Sequence, residues 1–118
     1  MFNFIMYYTY IIRCKDESLY TGYTSDINRR ILEHKKGINS KYTRAKGFKN
    51  LEVYYISNSK SKAMKLESYI KKFNRNKKLL IIKNPELLLE ELENREEYLV
   101  GIKNINNKTI LNENKKNK

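Results

Sequence analysis

Five polar residues stand out in this sequence because together they could carry out chemistry on a phosphodiester. They are Tyr10, Tyr20, Arg30, His34 and Glu67. An arginine can clamp a phosphate, a carboxylate can hold a divalent cation, and tyrosine or histidine can orient or deprotonate a water molecule. Each of them belongs to a segment with strand or helix character. We therefore expect the folded chain to bring them to one cleft.

Two strands must position the tyrosines. Residues 7–13 are rich in β-branched and aromatic side chains, and residues 19–23 form a second run of this kind after a short turn-forming stretch. The short connection predicts an antiparallel hairpin. Tyr10 would then lie mid-strand and Tyr20 would open the facing strand. Gly22, in the second strand, would allow another group to approach the backbone closely.

The first predicted helix carries the arginine and the histidine. Residues 24–26 supply N-cap candidates, and the helix should run to about Lys36, where Gly37 ends it. Arg30 and His34 are four residues apart, so they share one face of this helix beside its apolar stripe.

A basic loop (37–50), a third strand (51–57) and a second helix complete the predicted domain. Ser59 or Ser61 would cap that helix. Its apolar stripe consists of Ala63, Leu66, Ile70 and Phe73. Glu67 falls on this inner face, where a carboxylate must be paired with a cation or bound to a metal.

The predicted fold is therefore α+β, a small three-stranded sheet flanked by helices in the order β-β-α-β-α. We assign this domain to residues 6–83. An acidic amphipathic helix is predicted over residues 84–100, because Asn84, Pro85 and Glu86 are typical of a helix start and leucines recur to Leu99. Residues 101–118 are rich in Lys and Asn, and we expect a flexible tail.

The charge of the chain points to a polyanionic partner. The formal net charge is +12, and residues 1–83 contain 19 of the 25 Lys and Arg residues but 6 of the 13 Asp and Glu residues. Such a field attracts nucleic acid. A bias of an AT-rich genome toward lysine and asparagine is the alternative. The single cysteine, Cys14, and the absence of an apolar run long enough to span a membrane predict a cytoplasmic protein.

The residues also resemble a known family. Tyr8-Thr9-Tyr10 and Tyr20-Thr21-Gly22 are similar to the two halves of the GIY-YIG nuclease motif, although Tyr8, Thr9 and Thr21 replace its first Gly and its isoleucines. Arg30, His34 and Glu67 follow at the spacing of that family. The likeness is greatest to the small stand-alone bacterial proteins (YhbQ/YazA-like) and covers about residues 6–82.

The resemblance implies a metal-dependent endonuclease acting on DNA, with a role in repair or recombination. Glu67 would hold one Mg²⁺ or Mn²⁺, Arg30 would clamp the phosphate, and Tyr10, Tyr20 and His34 would handle the attacking water. Residues expected to contact nucleic acid are Tyr23, Arg29, Lys41, Tyr42 and Arg44. DNA is favoured over RNA as the partner.

Several alternatives stay open on the sequence alone. The tyrosines could be ordinary sheet aromatics, Arg30 could be a structural partner of Glu67, and His34 could be a hydrogen-bonded surface residue. The chain could bind nucleic acid with little or no cleavage. We expect the helix at residues 85–99 to dock on the domain or cap it. Alternatively, the chain could be a nuclease subunit that needs a protein partner, or that associates with itself, through this helix.

Overall fold

The computed structural model describes residues 5–102, which form a four-stranded antiparallel sheet with helices on its faces. The strands are β1 (Tyr7–Cys14), β2 (Leu19–Thr24), β3 (Phe48–Ser57) and β4 (Leu99–Val100). The helices are α1 (Ile27–Lys36), α2 (Lys41–Lys46), α3 (Lys60–Lys71), α4 (Arg75–Lys83) and α5 (Glu86–Glu90), with a 3₁₀ turn at Arg95–Glu97. The α+β fold predicted from the sequence is confirmed, with four strands in the described residues instead of three.

Strand β1 is the centre of the sheet, whose order is β2-β1-β3-β4. Tyr10 lies opposite Gly22 on one side and Tyr54 on the other. The register shifts between β1 and β3 at Ile11/Ile12, where β3 has one extra residue, Glu52. Such a bulge turns the following side chains to the opposite face of the sheet. The buried side chains of β3 therefore pack on both faces of the sheet.

The two faces of the sheet pack against different helices. On one face Ile11 and Val53 meet Leu66 and Ile70 of α3, and Ile81 of α4 completes this contact. On the other face the apolar residues of the sheet meet α1. Members of that second cluster are Tyr10, Ile12, Ile31, Leu51 and Tyr54. Helices α1 and α3 thus lie on opposite faces of the central strand that carries Tyr10.

Local capping signals explain where the helices begin. Asp26, Ser40, Ser59 and Asn74 each accept a hydrogen bond from a backbone N–H three residues later, at the start of α1, α2, α3 and α4. The prediction that residues 37–50 form a loop is wrong, because this segment contains α2 and the start of β3. Helix α2 is six residues long and basic, so it has no apolar periodicity to indicate it.

The extra C-terminal helix is present, but it ends at Glu90 and not near Leu99. The chain then turns, and Leu99 and Val100 pair with Ile56 and Tyr55 as β4. Leucine spacing suggested a longer helix, whereas a two-residue strand leaves no alternating pattern to read. Leu88 and Leu89 are buried against α3 and α4, so α5 docks on the core. Residues 103–118 of the predicted tail lie outside the described residues.

Between residues 5 and 102, no helix is both long enough and apolar enough to cross a membrane. Cys14 is a buried free thiol.

Candidate active site

A polar cleft of about 470 Å³ opens at the edge of the sheet formed by β2. Its lining residues are Tyr10, Tyr20, Gly22, Tyr23, Thr24, Arg29, Arg30, Glu33, Asn39 and Glu67. Six of these were selected from the sequence as candidate catalytic or nucleic-acid-binding residues. The strands supply the tyrosines, α1 supplies the arginines, and α3 supplies Glu67. The fold therefore brings four of the five residues to one cleft, as predicted, whereas His34 is buried and does not line it.

Gly22 lets the Tyr10 side chain reach the cleft. A Cβ atom at position 22 would lie 2.6 Å from the Tyr10 hydroxyl and 2.8 Å from Cζ, well inside van der Waals contact. The phenol of Tyr10 therefore lies directly over the edge strand at the one residue without a side chain. Tyr20 packs beside it, with ring centroids 6.4 Å apart.

His34 lies behind Tyr10 and is fully buried, so the surface alternative for this residue is wrong. Its Nε2 is 2.8 Å from the Tyr10 hydroxyl, and its Nδ1 is 3.1 Å from Thr43 Oγ1. Burial, assisted by the charge of Arg30, lowers the pKa of His34 to about 4. The imidazole is thus neutral at pH 7 and is held in place by β1 on one side and α2 on the other.

The Tyr10 hydroxyl also stays protonated at neutral pH. Burial raises the pKa of Tyr10 to about 12, against the opposing effect of the nearby Arg30 guanidinium. The Glu67 carboxylate adds a smaller effect in the same direction as burial. Arg30 and Glu67 are consequently both close enough to influence Tyr10 electrostatically, although the three residues come from three different elements.

Arg30 is anchored by its own helix and by the loop that follows it. Its Nη1 donates to Glu33 Oε1 at 2.8 Å and to the backbone oxygen of Asn39 at 2.9 Å. Burial would lower the pKa of Arg30, but its bonds with Glu33 and Tyr10 outweigh burial and raise it. The alternative in which Arg30 is a structural partner of Glu67 is wrong, since its carboxylate partner is Glu33.

Glu67 reaches the cleft from α3, and β1 fixes the position of that helix. Thr9 Oγ1 donates to the backbone oxygen of Ala63, one turn before Glu67, at 2.9 Å. The Glu67 side chain is 19 % exposed, so it lies at the edge of the buried face of α3 and not within that face as predicted. Lys71 Nζ lies 3.2 Å from its carboxylate, which supplies the expected cationic partner.

The donor set fits a metal held mainly by water and substrate. The described residues contain no group of three or more His, Cys, Asp or Glu side chains that could enclose an ion. Glu67 lines the cleft, and its Lys71 partner is an exposed, flexible side chain. Mg²⁺ binds through one or two carboxylates and retains several waters, so one accessible carboxylate beside a phosphate site suits it.

The remaining predicted contact residues lie on α2. Tyr42 packs on Tyr20, with ring centroids 5.1 Å apart, and Lys46 lies over the Tyr42 ring. Lys41 and Arg44 are exposed on the same helix. The side chains of Lys41, Tyr42 and Arg44 do not line the cleft. They extend a basic and aromatic surface away from it.

Sequence reasoning missed four residues that shape the site: Thr9, Glu33, Asn39 and Thr43. Glu33 had an available signal, because it lies three residues after Arg30 and four after Arg29, the spacing of helical ion pairs. The contacts of Thr9 and Thr43 join elements that are distant in the sequence. Local patterns contain no signal for them.

Comparison with known proteins agrees with this geometry. The model of the GIY-YIG catalytic domain matches residues 6–79. The chain belongs to the GIY-YIG family. It is also similar to small bacterial proteins named only UPF0213 protein. The protein from Clostridium perfringens is 43% identical over 88 residues, which are 75% of this chain and 95% of that protein. The one from Fusobacterium nucleatum is 39% identical over 88 residues, 75% and 88% of the two chains.

A solution NMR structure of the UPF0213 protein from Bacillus halodurans is also similar. It is 42% identical, covers 67% of this chain and 84% of its own, and has a TM-score of 0.44. The part of the chain that matches the family model includes every element that contributes to the cleft. Residues 84–102, which add α5 and β4, follow the part that matches the family model.

Proposed function

We propose that this GIY-YIG domain is an endonuclease that hydrolyses phosphodiester bonds in DNA with one Mg²⁺ or Mn²⁺ ion. The observation that carries the proposal is the meeting of Tyr10, Tyr20, Arg30 and Glu67 at one polar cleft on a strongly basic chain. A phosphate-binding cation, a metal-binding carboxylate and water-orienting hydroxyls are the components of metal-assisted hydrolysis. We further propose that it acts in the cytoplasm, on DNA that arises in repair or recombination.

Each side chain has a role that its environment supports. Arg30 binds a non-bridging oxygen of the scissile phosphate and balances the charge that develops there. The protonated Tyr10 hydroxyl orients the attacking water together with Tyr20. Neutral His34, whose Nε2 is bonded to the Tyr10 hydroxyl, holds that hydroxyl in position. Glu67 would hold the divalent ion, which would supply stabilisation of the leaving oxygen when bound.

Cleavage of branched, flapped and linear DNA with Mg²⁺ or Mn²⁺ tests this proposal. Glu67→Gln should lose cleavage by at least about 100-fold, because it removes the metal-binding charge with little change in shape. It should keep its affinity for DNA. Glu90→Gln, a change on the exposed face of α5, is the matched control and should cleave normally. If the parent protein cleaves DNA no faster than Glu67→Gln does, the nuclease proposal is refuted.

A second candidate function is nucleic-acid binding with little or no cleavage. It is favoured by the pairing of both cleft carboxylates with cations, Glu67 with Lys71 and Glu33 with Arg29 and Arg30. Binding that weakens steeply with salt, without cleavage in the parent protein, would support this function. Cleavage that appears only after a cell extract is added would indicate a subunit that needs a partner.

A further inference from the structure

Three hydrogen-bond donors converge on the carboxylate of Glu33 inside the cleft. Arg29 Nη1 lies 2.9 Å and Asn39 Nδ2 3.2 Å from Oε2, while Arg30 Nη1 lies 2.8 Å from Oε1. Two guanidinium groups and an amide around one pair of oxygens form an arrangement that also binds phosphate. The Glu33 side chain is only 13 % exposed, so this carboxylate fills the group of donors.

The backbone after α1 holds this arrangement in a fixed shape. Gly37 and Asn39 adopt left-handed conformations, with φ of 69° and 54°. The N–H of Ile38 donates to the backbone oxygen of Glu33, so the chain folds back over the last turn of the helix. Asn39 then presents its amide to Glu33 and its backbone oxygen to Arg30. The donors are therefore in place before any ligand arrives.

A carboxylate at this place is an unexpected choice for a nucleic-acid cleft. The bond from Arg30, followed by the bond from Asn39, holds the pKa of Glu33 below its usual range. Glu33 is thus ionised at neutral pH, and it neutralises the arginine that the proposed reaction needs for the phosphate. A phosphate can reach the same donors only if the carboxylate gives them up.

We propose that Glu33 occupies the place of a substrate phosphate, and that a phosphate of nucleic acid displaces it from Arg29, Arg30 and Asn39. The inference rests on the proposed function, since it names the ligand of this part of the same cleft. Displacement exchanges one set of charge-assisted hydrogen bonds for another of similar strength. A free phosphate ion gains little from that exchange. A nucleic acid also contacts the rest of the cleft, so it completes the exchange.

Glu33→Gln tests the proposal, because it removes the competing charge and keeps the shape of the side chain. Binding of a labelled oligonucleotide is measured in EDTA, so that no cleavage occurs. We expect Glu33→Gln to bind about fivefold more tightly than the parent protein, the scale of a partly exposed ion pair. Glu33→Ala should change affinity in the same direction, and circular dichroism reports whether either variant is folded.

Glu17→Gln is the matched control, since Glu17 also bridges two cations, Arg13 and Lys49, and does not line the cleft. It makes the same change in net charge and should leave affinity almost unchanged. Equal gains in Glu33→Gln and Glu17→Gln would overturn the proposal, because the effect would then be general attraction. Weaker binding by both Glu33 variants would also overturn it, because Glu33 would then serve to hold the arginines in place.

Inorganic phosphate separates the two sources of the ligand. NMR signals of the arginine Nε–H groups should move on addition of phosphate in Glu33→Gln but not in the parent protein. Movement in the parent would assign the site to free phosphate instead of nucleic acid. Normal cleavage by the parent without tighter binding by Glu33→Gln would overturn this inference alone. Tighter binding by Glu33→Gln without any cleavage would support it and refute the nuclease.

Discussion

At the scale of single residues, the site depends on Tyr10, a large ring lying over Gly22 in the edge strand. Gly22→Ala would place a methyl group 2.6 Å from the Tyr10 hydroxyl, so the ring must move and its bond with His34 must lengthen. We expect DNA cleavage to fall by about tenfold or more, because a shift of a fraction of an ångström is costly for the hydroxyl that we propose orients the attacking water. Steady-state cleavage assays measure the loss.

Thr21→Val is a suitable control for this change. Thr21 is the neighbouring residue on β2, and among the described residues its buried hydroxyl has no hydrogen-bond partner. Replacing it with an apolar group of the same shape should cost little or nothing. An unchanged cleavage rate in Gly22→Ala would show that the position of the Tyr10 hydroxyl does not limit the reaction.

His34 should make the free energy of unfolding depend on pH between its lowered pKa and its ordinary pKa. Folding lowers the pKa of His34 to about 4, so between there and its ordinary value near 6.5 the unfolded chain binds a proton that the folded chain does not. Stability therefore falls as pH falls through this range. From pH 7 to 5 we expect a loss of about 2 kcal/mol, measured by urea unfolding.

His34→Gln should remove most of this slope, because the chain contains one histidine. Carboxylates with lowered pKa values, such as Glu33 and Glu91, lose their stabilising effect at lower pH. The same slope in His34→Gln between pH 7 and 5 would show that another group is responsible.

At the scale of elements, the contact between β1 and α3 sets the position of Glu67. Thr9→Val removes the hydrogen bond from Thr9 Oγ1 to the backbone oxygen of Ala63 and keeps the shape of the side chain. We expect a loss of about 1 to 2 kcal/mol in the free energy of unfolding. Cleavage at limiting Mg²⁺ should fall further than this loss of folding explains, because α3 carries the carboxylate that we propose binds the metal.

Thr9→Ser keeps the hydroxyl and should restore the response to Mg²⁺. If Thr9→Val and Thr9→Ser respond alike to the metal, the hydrogen bond does not position Glu67. Threonine stands at this position in place of the motif isoleucine. Here the side chain bonds to a helix backbone instead of only packing against it.

The sequence predicts elements well where periodicity and caps agree. Asp26 and Gly37 mark both ends of α1, and the stripe through Leu66 and Ile70 identifies α3. Patterns fail where an element is too short for its period to repeat several times, as in α2 and β4. Arg30 and Glu67 could be selected because each lies within a well-marked helix. The burial of His34 could not be predicted, since it depends on Thr43 in the unrecognised helix α2.

At the scale of the whole molecule, the last described segment completes a core that the matched family region leaves open. Leu88, Leu89 and Tyr98 pack against α3 and α4, and the Tyr98 hydroxyl donates to the backbone oxygen of Lys62. Glu91 bonds to Tyr69 and Lys77 nearby. The segment that follows residue 84 is thus an integral cover for the helices behind the cleft.

The position of this cover has a consequence for synthesis of the chain. A ribosome releases the amino-terminal strands first, yet Leu66 and Ile70 lack the last of their apolar neighbours until Tyr98 has emerged. Strand β4, at residues 99 and 100, closes the free edge of β3 at the same late moment. Until then the nascent chain exposes apolar surface and an unpaired strand edge. The cleft consequently becomes fully supported only after nearly all the described residues have been translated.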